Sequence, residues 1–302
     1  MTTITVDARK TLLAPLPVTE RRVTCAGVST AVLEGGDGPP LVLLHGPGEC
    51  AAHWTRVLPD LVTTHRVVAP DLPGHGSSDA GDAGNAGDAG DAEYAGGRRL
   101  DADRTVAWLQ DLVEQTCPSP PVVVGRLLGG AIAARFAAAS PDRLELLILV
   151  DTYGLSRFRP RPSFAFALAG FATRPTPRSI DRLFRSCSAE PDRVAQEMGD
   201  TADALKTYAV DTARTRRNKT AMRALMPQLA MPAIPDEVLR RITVPTALIW
   251  GRQDPQTRVR TAEAASARYG WPLHVIDRAG DEPPIDQPEA FLKALRSALE
   301  PA

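Results

Sequence analysis

Chemistry in this 302-residue chain has to be sought among five histidines, four cysteines and the carboxyl groups that lie near glycine turns. The most suggestive stretch is "VVVGRLLGG", residues 122–130, a run of apolar β-branched residues followed by glycines at 125, 129 and 130. It reads as a buried strand entering a sharp turn and then a helix, with glycine where the chain approaches itself closely. At the centre of that turn stands Leu127, whose side chain has no nucleophilic atom, and beside it Arg126 brings a permanent positive charge. A second turn, "LLHGPGEC" (43–50), combines Gly46, Pro47 and Gly48 with Glu49 and Cys50. A thiol nucleophile needs a nearby base, and His53, one turn beyond Cys50, is the histidine within sequence reach. Thr152 and Tyr153 follow the apolar run that ends at Asp151. Glu49, Cys50, Arg126, Leu127 and Tyr153 are therefore the residues expected around a pocket.

The elements that would position these groups alternate regularly. "LVLLH" (41–45), "HRVVAPD" (65–71), "PVVVG" (121–125), "LELLILVD" (144–151) and "PTALIWG" (245–251) are apolar throughout, as parallel strands covered on both faces must be. Between them, "RTVAWLQDLVEQ" (104–115), "LGGAIAARFAAA" (128–139) and "PEAFLKALRSAL" (288–299) carry helical spacing. This alternation predicts an α/β fold with a doubly wound, mostly parallel sheet. Residues 155–241 break the rhythm with apolar patches such as "FAFALAGFA" and no strand signal, and are expected to form an inserted helical cap on a core made of 1–154 and 242–302. Residues 79–92, "DAGDAGNAGDAGDA", repeat a small polar triplet that cannot offset its backbone entropy by burial, and predict a flexible low-complexity loop.

Composition removes several function classes. The net charge of −1 gives no footprint for nucleic acid, and no apolar run reaches the ~18 residues of a membrane span. The N-terminal segment has no basic stretch followed by an apolar one, and the cysteines Cys25, Cys50, Cys117 and Cys187 lack metal-ligand or paired spacing. The expectation is a cytoplasmic protein in a reducing compartment, with no membrane or nucleic-acid partner, no metal and no cofactor; composition does not bear on its oligomeric state. Charge is unevenly distributed: residues 155–241 hold 16 Lys+Arg against 9 Asp+Glu, a net +7 that leaves −8 for the remainder. The run "RFRPRP" (157–162) opens that basic segment and could attract an acidic or carrier-bound ligand.

From about Val23 to Leu299 the ordered motifs resemble the α/β-hydrolase family. "LLHGPG" (43–48) is similar to its oxyanion loop, "PDLPGHGSSD" (70–79) to the turn after its fourth strand, and "VGRLLGG" (124–130) to its nucleophile elbow. "LIWGRQD" (248–254) resembles the strand that bears the acid, and "IDRAGDEPPIDQPEAF" (276–291) the segment that carries the catalytic histidine. The resemblance implies that Leu127 stands at the nucleophile position, Asp281 at the histidine position and Asp254 at the acid position, with Asp151 as a second acid site. Among the histidines, His45 and His75 fall on structural turns of the fold, and His274 is expected to be a packed core imidazole. It further implies backbone donors around Gly46, Pro47, Gly48 and Leu128, although proline itself has no N–H.

A Ser-His-Asp triad works because an imidazole takes the serine proton and a carboxylate orients the imidazole. Leu127 and Asp281 leave no such triad. Asp281 and Asp254 as close carboxyls could split their pKa values and act as general acid and base, or could be held by Arg126 as a structural ion pair. The expected activity is therefore a cofactor-independent lyase, isomerase, dehydratase or cyclase acting on a carbonyl-bearing small molecule, as in the specialised metabolism known for triad-altered members. A silent small-molecule-binding protein and a hydrolase using Cys50 are the alternatives.

Overall fold

A computed structural model describes residues 2–80 and 100–300, with the side chains of residues 2–7 left aside. Eight strands form one sheet: β1 (Thr19–Cys25), β2 (Val28–Gly35), β3 (Pro40–Leu44), β4 (Arg66–Pro70), β5 (Val122–Arg126), β6 (Leu146–Val150), β7 (Thr246–Gly251) and β8 (Leu273–Ile276). Their order is β1-β2-β4-β3-β5-β6-β7-β8, and only the β1–β2 and β2–β4 pairings are antiparallel. The rest of the sheet is parallel, so every strand from β3 to β8 ends on the same edge. In open parallel sheets ligands collect outside those carboxyl ends. The central strands are buried along their whole length, which explains their continuous apolar sequences.

The helices are α1 (Thr2–Leu13), α2 (Leu58–Leu61), α3 (Ala102–Thr116), α4 (Leu128–Ala139), then α5 (Pro162–Thr173), α6 (Pro177–Cys187), α7 (Pro191–Met198), α8 (Asp200–Arg214), α9 (Arg216–Leu225) and α10 (Asp236–Leu239), and finally α11 (Val259–Tyr269), α12 (Pro283–Asp286) and α13 (Pro288–Leu299). Helices α5 to α10 lie between β6 and β7, where the sequence led us to expect a helical insertion. Helix α4 is apolar but for Arg135 because it packs under the sheet centre, with ten of its twelve residues buried. His274 departs from expectation: β8 is the edge strand, and its imidazole is half-buried rather than in the core. Residues 81–92 of the repetitive segment lie outside the described residues. No described helix is long and apolar enough to cross a membrane.

Candidate active site

The turn from β5 into α4 has the strained geometry that its glycines announce. Leu127 takes φ 46° and ψ −109°, a positive φ that costs a branched residue about 1–3 kcal/mol. The close approach that enforces it is visible at Gly129, where a Cβ would lie 2.6 Å from the Leu44 carbonyl oxygen. The elbow is thus kept as architecture. It presents an isobutyl group to the cavity above, and that group cannot attack a carbonyl.

The cavity has a volume of about 540 Å³ between the strand ends and the inserted helices. Its floor carries Leu127, Glu49, His53, Tyr153, Gln256, Asp281 and Glu282, together with Pro47 and Gly48. Its walls are mainly apolar, including Phe164, Leu168 and Phe171 of α5, Ile180 and Phe184 of α6 and Met222 of α9, while Lys219 and Arg223 add positive charge. Polar groups converging at the base of an apolar chamber are what a small-molecule site requires.

Three carboxyls dominate the floor, those of Asp281, Glu282 and Glu49. Asp281 is buried, its Oδ2 accepts a bond from Gln256 Nε2, and its Oδ1 has no partner among the described residues. Burial first, and then the negative charge of Asp254 and Glu282, pushes this carboxyl well above its usual range, against the pull of Arg126 and Gln256. Glu282 is pushed up to about 7 by burial, with Arg126 opposing and Glu49 reinforcing the shift. Glu49 goes the other way: burial would raise it, but Arg126 and His53 hold it down at about 2. One carboxyl of this Glu49–Glu282 pair therefore stays ionised while the other exchanges its proton near neutrality.

Arg126 organises this charge, though not by the ion pair expected with Asp254 or Asp281. Its guanidinium is buried, bonds Glu49, reaches Glu282 at 3.1 Å and donates to the Asp281 main-chain carbonyl at 2.9 Å. Glu49, His53 and Glu282 bring donor atoms within 4.8 Å of one another, as a metal site would, but the guanidinium already supplies the positive charge there.

Asp254 is also placed differently from the expectation of a carboxyl facing the substrate. It is buried outside the cavity lining, and its oxygens accept from the N–H of Gln256 at 2.6 Å, the N–H of Thr257 at 2.9 Å and the Thr257 hydroxyl. Burial raises it to about 6 against those bonds. Its work is to set Gln256, which in turn accepts from the Tyr153 hydroxyl and donates to Asp281. Gln256 and Glu282 were both missed in the sequence. Glu282 had a signal, being adjacent to Asp281, whereas an isolated glutamine in "DPQT" carries none.

Cys50 does not line the cavity. The short helical turn Ala51–Trp54 rotates it into an apolar cluster with Leu12, Val194 and Tyr208, and burial pushes its thiol up to about 12. A thiol in that state is no nucleophile. Cys187, at the end of α6, is the cysteine that reaches the cavity, and burial beside Asp281 and Glu282 raises its thiol well above the ordinary range. His45 and His75 are engaged in turns, while His53 lines the cavity. His45 accepts from the Leu72 N–H through Nε2 and donates from Nδ1 to the Gly46 carbonyl, and burial lowers it to about 3. His75 donates to the Pro73 carbonyl.

The oxyanion loop is weaker than its sequence promised. Pro47 has no N–H, and the Gly46 N–H is spent on Glu49 Oε2 at 2.9 Å. The amides of Gly48 and of Leu128, which opens α4 outside its hydrogen-bond ladder, are the remaining donors of the expected set. An ionised Glu49 beside them opposes a developing oxyanion.

Comparison with known proteins agrees with this architecture. Residues 41–294 match the model of the "Alpha/beta hydrolase family". The chain is 26% identical over 293 residues to a 2-hydroxy-6-oxo-6-(2'-aminophenyl)hexa-2,4-dienoic acid hydrolase of Metapseudomonas resinovorans, covering 93% of this chain and 90% of that protein. It is 30% identical over 268 residues to a pimeloyl-[acyl-carrier protein] methyl ester esterase of Chromobacterium violaceum, covering 88% and 96%. Among solved structures, the fold matches naproxen esterase of Bacillus subtilis with a TM-score of 0.78, at 17% identity and 99% coverage of both chains. A meta-cleavage product hydrolase of Pseudomonas fluorescens matches with a TM-score of 0.73, at 23% identity, covering 92% of this chain and 97% of that one. With the elbow, the strand order and the family match all in place, the chain belongs to the α/β-hydrolase family.

Proposed function

We propose that this protein is a cofactor-independent acid–base enzyme of the lyase, isomerase, dehydratase or cyclase kind, acting on a carbonyl-bearing small molecule with an apolar body and an acidic group. The observation that carries the reading is Asp281: a buried carboxyl on the cavity floor, held well above its usual pKa, with Oδ1 unpartnered next to a residue that cannot attack. A carboxylic acid kept neutral by burial donates a hydrogen bond to a carbonyl oxygen and stabilises the enol or enolate that forms from it. Glu282, near 7, is poised to take the proton from the adjacent carbon and return it elsewhere on the substrate. Glu282 thus replaces Asp254 as the second participant, and Asp254 becomes a positioning residue acting through Gln256.

Lys219 and Arg223 give the chamber a place for an anionic group away from the acidic floor. The relatives named for a dienoic acid and for a pimeloyl ester act on carbonyl-bearing compounds, which supports the same substrate class here. Their names also favour a second reading, hydrolysis without a covalent intermediate, in which Glu282 draws a proton from water as that water attacks. Proton exchange separates the two. A panel of arylalkyl and alkyl 2-oxo acids and their methyl esters incubated with the protein in heavy water should lose the signal of the C–H next to the ketone in proton NMR spectra, and Asp281→Asn should slow this loss by about 100-fold or more. Ester cleavage with no C–H exchange would support the second reading, and binding with neither reaction would make the protein a silent receptor.

A further inference from the structure

We propose that helix α5, with the arginines at its two ends, is a docking face for an anionic lipid surface. Phe164, Leu168 and Phe171 lie on one side of α5 and line the cavity. On the other side Ala165, Phe166 and Ala169 are open to solvent, and Phe166 is 73% exposed. The helix "PSFAFALAGFAT" carries no charged residue. A helix that is apolar all round is ordinarily buried in protein or in lipid, and here half of it is covered by nothing among the described residues.

The charge around it specifies what covers it. Residues 155–180 contain Arg157, Arg159, Arg161, Arg174 and Arg178 and no acidic residue. All five arginines are exposed, and none forms an ion pair among the described residues. The next acid along the chain, Asp181, is already engaged by Lys206 at 2.9 Å and by Arg185. Met231, the other large apolar side chain standing exposed, adjoins the same segment, since its carbonyl accepts from the Phe158 N–H in the middle of the arginine run. An apolar helix flanked by unpaired arginines matches a layer of acyl chains beneath anionic headgroups, where it would lie in the plane of the interface. Because the opposite side of α5 walls the cavity, docking would set the chamber against the lipid. Such docking departs from the expectation of no membrane partner, needs no spanning helix, of which there is none among the described residues, and does not depend on the acid–base reading.

Flotation of the full chain with phosphatidylcholine vesicles containing about one-third phosphatidylserine tests the proposal. The expected result is binding to these vesicles, little binding to pure phosphatidylcholine, and release in about 0.5 M salt. Phe166→Ser should weaken the partition at least about tenfold, and Arg159→Glu with Arg174→Glu by about 20-fold or more. These positions are exposed, so unchanged thermal melting will show that the variants fold. No binding to the anionic vesicles, or binding indifferent to both sets of changes, overturns the proposal. So does concentration-dependent self-association abolished by Phe166→Ser, which would make a second copy of the chain the occupant.

Discussion

Replacing Glu282 by glutamine tests the electrostatics of the floor independently of any substrate. The carboxyl titrates from an ordinary 4.5 in the unfolded chain to about 7 in the folded protein. The folded state therefore binds more protons than the unfolded state between those values, and stability falls as pH rises across that window. A displacement of this size corresponds to about 3 kcal/mol at 1.36 kcal/mol per unit, present as a penalty above pH 7 and absent below pH 4.5. Glutamine does not titrate. Whatever fixed offset it brings by exchanging an oxygen for an amide, the stability of Glu282→Gln relative to the parent should rise by about 3 kcal/mol between pH 4.5 and pH 8. Urea unfolding at both pH values measures this difference, and comparing the two pH values cancels the offset. A relative stability that is flat with pH, or that falls, would refute the placement of a proton-holding carboxyl beside Glu49 and Arg126.

Three further outcomes follow from the site. Arg126→Met removes the buried cation shared by Glu49, Glu282 and the Asp281 carbonyl and should destabilise the fold by about 3–5 kcal/mol in urea unfolding near neutral pH. Leu127→Ser introduces a hydroxyl at the elbow without the carboxylate-oriented imidazole that a serine nucleophile needs; hydrolysis of p-nitrophenyl acetate should remain at background and a fluorophosphonate probe should not label the variant. Cys50→Ala should leave turnover unchanged, and Cys50 should resist iodoacetamide at about pH 8 while the protein is folded, since its thiol is buried away from the cavity and pushed up to about 12.

Strands β3 to β7 were legible because buried parallel strands announce themselves as continuous apolar runs, whereas the antiparallel β1–β2 pair at the sheet edge was not, β1 being mostly exposed. The stretch 121–125 became β5 at Val122–Arg126, and the helices at 128–139 and 288–299 fall where their spacing put them. Leu127 was legible too, since the flanking glycines fix the turn and the residue type alone excludes attack. The electrostatic partners were not. Arg126 meets Glu49 and Glu282 across 77 and 156 residues of chain, and only the fold decides that it reaches them rather than Asp254. Adjacency to the oxyanion loop made Cys50 look accessible, while one short helical turn rotated it into the core. The apolar cavity wall from α5, α6 and α9 resembles any packed helix face in sequence, and so does the exposed side of α5.

The most direct test of acid–base chemistry without a nucleophile is the rate of solvent deuterium incorporation into a 2-oxo acid ligand, measured for the parent protein, Asp281→Asn and Glu282→Gln. A neutral donor at Asp281 and a base at Glu282 predict a loss of about 100-fold or more in each variant, with the parent rate rising through a pKa near 7 that disappears in Glu282→Gln. Exchange within about threefold of the parent in both variants, or a covalent adduct on the protein during turnover, would contradict it.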